Sequence, residues 1–83
     1  MEELLKQVEK EYEKARLKFP PFYSTHEGYG VIKEEFDELW DEIRREKGTH
    51  TCTKKMKKEA IQLAAMSLAF IFDLRKRYGK EGR

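Results

Sequence analysis

Met56-Lys57-Lys58-Glu59-Ala60-Ile61-Gln62-Leu63-Ala64-Ala65-Met66-Ser67-Leu68-Ala69-Phe70-Ile71-Phe72-Asp73-Leu74 is the stretch that decides the fold. Placed at steps of about 100° per residue, Met56, Ala60, Leu63, Phe70, Ile71 and Leu74 fall on one side, and Ile61, Ala65, Leu68 and Phe72 lie toward the other. A helix apolar all round must be covered all round. Two shorter helices from the same chain can hardly do that, so a second subunit is the expected cover. The alanines let neighbouring helices approach closely. Thr51 or Thr53 can cap this helix, which is predicted to run to about Tyr78, before Gly79.

Two more helical segments precede it. The first runs from about Glu2 to Lys18, with Leu4, Leu5, Val8, Tyr12, Ala15 and Phe19 at helical spacing and Leu17 off the stripe. Pro20 and Pro21 forbid its continuation. Ser24 and Glu27 then stand three apart in the capping-box arrangement. The second helix is predicted to extend to about Lys47, with Gly48 as its stop. Its apolar stripe reads Ile32, Phe36, Leu39, Trp40 and Ile43, the expected core face. The fold class is therefore all-α: three helices in a single domain, 1–83, forming an oligomeric helical bundle.

Size and composition agree with that. A chain of 83 residues buries only about 60% of the surface its unfolded form exposes, which leaves stability marginal and favours association. Charged residues are 41% and hydrophobic residues 39%, so a core forms only if apolar groups share definite faces, as they do here. The apolar run Ala60 to Phe72 is well short of the about 20 residues a bilayer requires. The start, Met1 to Lys6, lacks the pattern of a secretory signal. Cys52 has no cysteine to pair with, which fits a reducing compartment. The expected setting is cytoplasmic, with no membrane partner. A net charge of +2 gives no strong general attraction to nucleic acid.

The candidate chemistry sits beside the apolar stripes. Val31, Glu35, Glu38 and Glu42 form a second stripe flanking the core face of the second helix. Lys55, Glu59, Gln62, Met66 and Asp73 form a similar flank on the third. If the helices pack antiparallel, as a short connection favours, Glu35 and Glu38 can face Glu59. Three carboxylates converging at a half-buried position repel one another unless a cation sits among them, and hard oxygen ligands select Mg²⁺ or Mn²⁺. The competing reading is of solvated glutamates in i,i+4 pairs with lysine and arginine.

Glu34-Glu35-Phe36-Asp37-Glu38, followed by Glu59-Ala60-Ile61-Gln62 on the next helix, resembles the EExxE and ExxD motif pair of the MazG-like all-α nucleoside triphosphate pyrophosphohydrolases. The resemblance covers roughly Thr25 to Asp73. It implies hydrolysis of a nucleoside triphosphate to monophosphate and pyrophosphate with Mg²⁺ or Mn²⁺. Glu34, Glu35 and Glu38 would be the catalytic carboxylates, and Glu35, Glu38, Glu59 and Gln62 would lie at the metal. Gln62 stands where the family has Asp; its amide oxygen brings no charge, so metal affinity should be lower. Asp73 cannot take its place, lying about 21 Å along the helix from Glu59. Lys55, one turn before Glu59, and Lys58, beside it, are candidate phosphate contacts. The alternative is a non-enzymatic helical oligomerisation or nucleotide-binding module of the same fold.

Other residues carry less. His26 reads as a local cap-region histidine. His50 and Cys52 are too few for a zinc site, and Cys52 has no evident activating base. Trp40, Phe36, Phe70 and Phe72 read as core, whereas Phe22 and Tyr23 are the better placed to touch a base.

Overall fold

Three helices and no strand make up the regular structure of residues 1–45 and 50–78, the part of the chain that the computed structural model describes: α1 (Glu2–Lys18), α2 (Thr25–Arg44) and α3 (His50–Tyr78). Acidic Glu2 and Glu3 in the first turn of α1 and basic Arg16 and Lys18 in the last complement its dipole. Phe19, which precedes proline, is forced into the extended region at φ −127° and ψ 146°, and its N–H still donates to the Ala15 carbonyl at 2.8 Å. At the start of α2 the Ser24 hydroxyl accepts from the Glu27 N–H at 3.1 Å. The Glu27 carboxylate reaches back to the Tyr23 N–H, one residue further than in the usual capping box.

Two boundaries differ from expectation. α2 ends at Arg44 with Arg45 as its cap, short of Lys47; the proposed stop at Gly48 lies outside the described residues, as does Gly79. α3 begins at His50, so Thr51 and Thr53 are inside its first turn rather than at its cap.

α3 is the spine. Its 29 residues, at about 1.5 Å each, account for the 44 Å long axis of the molecule. Both α1 and α2 pack on α3, and they do not pack on each other. α2 runs antiparallel to α3: Gly28 lies against Phe70 and Glu35 meets Glu59. α1 runs parallel to it: Gln7 and Lys10 face Lys54 and Lys57, while Arg16 reaches Ala69 and Asp73.

A close approach of α2 to α3 occurs at Gly28. A Cβ there would stand 2.5 Å from Cδ1 of Phe70 and 3.1 Å from Cδ2 of Phe22. That contact sets the rotation of α2, because Val31, Glu35 and Glu42, at offsets of 3, 7 and 14, fall on the same inward line and are all half-buried. The expected core stripe is corrected accordingly. Ile32 and Leu39 are half-buried, but Phe36, Trp40 and Ile43 are 59%, 54% and 43% exposed. Phe72 is also 44% exposed, with the Tyr12 ring tilted against it at 5.5 Å on one side.

Among the described residues the fully buried apolar side chains are only Ala65 and Ala69. The radius of gyration, 14.1 Å, exceeds the roughly 12 Å of a compact chain this long. A single copy therefore leaves much of its apolar surface uncovered. No helix among the described residues is long and apolar enough to cross a membrane.

Candidate functional site

The rotation that turns the aromatic stripe of α2 outward turns a carboxylate line inward. Glu35 lies two turns beyond Gly28, Glu38 follows by three, and α3 presents Glu59 opposite. One carboxylate oxygen from each of the three lies within 4.8 Å of the other two. Glu35 and Glu59 are half-buried and Glu38 is exposed at the rim. One oxygen each of Glu35 and Glu59 is cut off from solvent and has no hydrogen-bond partner, a condition that is unfavourable for a charged group unless something else satisfies it.

The electrostatics follow. Burial, reinforced by the charge and carboxyl contact of Glu38 and then by Glu59 and Glu34, pushes Glu35 up to about 7. Burial also raises Glu59, with Glu38 adding to the effect and Lys58 opposing it. Ionised carboxylates have no donor, so these contacts become hydrogen bonds only when one partner carries a proton. Near neutral pH the trio can relieve its repulsion by keeping a proton or by surrounding a cation. The unpartnered oxygens and the all-oxygen donor set fit a hard divalent ion such as Mg²⁺ or Mn²⁺.

Glu34, by contrast, is exposed and outside the trio. Gln62 lines a hollow of about 230 Å³ together with Glu35 and Met66, walled by Lys14 and Lys18 of α1, so it adjoins the trio from the α1 side. Glu42 pairs with Arg45 at 3.2 Å. Lys58 faces a second hollow and Lys55 faces neither. Asp73 accepts from Arg16 and from the Phe22 N–H, so it serves packing.

Phe22 is not a free platform for a base: its ring sits 6.5 Å from that of Phe70 and against Gly28. Tyr23 is 84% exposed, and His26 is exposed as well. The side chains of His50 and Cys52 lie outside the described residues. Sequence pattern alone does not single out the lysines of α1, although Lys10, Lys14 and Lys18 recur every fourth residue, the spacing of one helix face. Comparison with family models, with curated proteins and with solved structures finds no match to this chain.

Proposed function

We propose that the chain is a MazG-like, Mg²⁺- or Mn²⁺-dependent nucleoside triphosphate pyrophosphohydrolase that works as a homo-oligomer. The observation that carries this reading is the meeting of Glu35, Glu38 and Glu59, with an unpartnered, solvent-free oxygen on two of them. Those two residues, with Glu38 at the rim, would hold the ion. When bound, the ion supplies positive charge against phosphate oxygens and makes water easier to deprotonate.

The chain's own groups then have separate tasks. Glu34, exposed and outside the trio, would be the spare carboxylate that takes the proton from a water. The water oxygen forms a bond to the α-phosphorus as the bond from that phosphorus to the bridging oxygen breaks, releasing pyrophosphate and leaving the monophosphate. Gln62 faces the same hollow as Glu35 and can orient a ligand through its amide without adding charge.

Association follows from the bare aromatic face. Phe36, Trp40 and Ile43 follow one another along one face of α2 and are exposed, as are Leu68 and Ile71 of α3, and large apolar groups left bare on a small domain mark an association surface. A second copy is the occupant that the thin core calls for.

Gln62 in place of an acid favours one second reading, a nucleotide-binding module without hydrolysis. A screen of nucleoside triphosphates with Mg²⁺, scored for equal amounts of monophosphate and pyrophosphate, tests the proposal. Release from at least one substrate is expected. Metal binding without release from any of them would select the module.

A further inference from the structure

A hollow of about 320 Å³ opens between α1 and α3, and Lys10, Lys54, Lys57 and Lys58 all line it. Glu11 is the only carboxylate on its wall, and Lys14 already holds it at 3.4 Å. Among the described residues, none of the four lining lysines forms an ion pair. A convex helix face dissipates such charges into water; a concave one gathers their potential and draws an anion.

The hollow also leads somewhere. At Glu11 it meets the hollow lined by Lys14, Lys18, Gln62 and Glu35, so cationic side chains continue from Lys54 to the edge of the carboxylate trio. A single ligand with several negative charges along its length, and a divalent ion at one end, satisfies both halves of this surface.

We propose that the lysine-lined hollow between α1 and α3 binds a polyphosphate chain, that of a nucleoside triphosphate directed toward Glu35. The ligand class rests on the proposed function; the site itself rests on the lysines. Lys58 is thus a phosphate contact together with Lys10, Lys54 and Lys57.

Inorganic triphosphate, titrated by calorimetry into the whole chain in excess chelator, tests the site without metal or turnover. Saturable, salt-sensitive binding is expected. The double variant Lys54→Ala, Lys58→Ala should weaken it by about tenfold or more, while exposed lysine-to-alanine changes in a helix keep the fold. Glu35→Gln should leave it unchanged or tighter, since it removes negative charge. No binding by the parent, or equal binding by the lysine variant, overturns the proposal. So does a single-stranded oligonucleotide that competes at equal affinity, because the hollow would then recognise a nucleic-acid backbone. Triphosphate binding in a protein that binds no Mn²⁺ would overturn the metal centre and uphold the hollow; the reverse pattern would do the opposite.

Discussion

Arg16 of α1 and Asp73 of α3 are joined by two contacts, at 2.8 and 3.3 Å, and the same guanidinium donates to the Ala69 carbonyl at 2.8 Å. Asp73 also accepts the Phe22 N–H at 2.9 Å. One half-buried carboxylate therefore ties α1, the segment after it and α3 together. Burial works against the Arg16 charge, but Asp73 and Tyr12 outweigh it and hold the group above its ordinary range. Asp73→Asn keeps the shape and removes the charge, so urea unfolding should show a loss of about 1.5–3 kcal/mol. Metal binding, measured under native conditions, should be unaffected.

The two glycines of α2 should respond in opposite ways to alanine. Helix propensity favours the change at both by about 1 kcal/mol. At Gly28 the new Cβ meets the Phe70 ring at 2.5 Å, and overpacking of about 1–3 kcal/mol should leave a net loss. At Gly30 nothing lies within 4 Å, so Gly30→Ala should stabilise by roughly 0.5–1 kcal/mol. Thermal melts of the two variants check the placement of α2 on α3.

Glu35 predicts a pH dependence. Between its ordinary value of 4.5 and about 7, the native state holds a proton that the unfolded chain has lost, so stability falls as pH rises through that window. Glu59 acts in the same direction. In chelator, the melting temperature should be lower near pH 8 than near pH 5, and Glu35→Gln should flatten the difference. Divalent metal should reverse the trend, because it stabilises the ionised carboxylates of the native state.

Trp40 is 54% exposed in one copy, so replacing it should alter association more than folding. Trp40→Glu should shift light scattering from at least a dimer toward the 10.0 kDa chain. A parent protein that stays at 10.0 kDa at micromolar concentration would refute association through this face.

Gln62→Asp adds a charged oxygen beside Glu35 in their shared hollow and should raise metal affinity, by about tenfold. Unchanged affinity would place Gln62 outside the metal centre.

What was legible in the sequence was local. Pro20 and Pro21, then Ser24 with Glu27, mark the end of α1 and the start of α2 within a few residues of the chain, and the structure follows them. The Glu35, Glu38 and Glu59 grouping was reachable because both helices carry the acids at regular spacing and a short connection favours antiparallel packing. The rotation of α2 was not. Its aromatic stripe and its carboxylate line are neighbours on one helix, and the contact that chooses between them, Gly28 against Phe70, joins residues 42 apart. The lysine hollow was hidden for a similar reason: Lys10 meets Lys54 only because α1 packs parallel to α3.

Whether Glu35, Glu38 and Glu59 hold a divalent cation is read by titrating Mn²⁺ into the parent and into Glu35→Gln and following the free ion by electron paramagnetic resonance. Saturable binding is expected, displaced by Mg²⁺ and weakened by about tenfold or more in Glu35→Gln. Absence of saturable binding, or equal affinity in the two proteins, would contradict it.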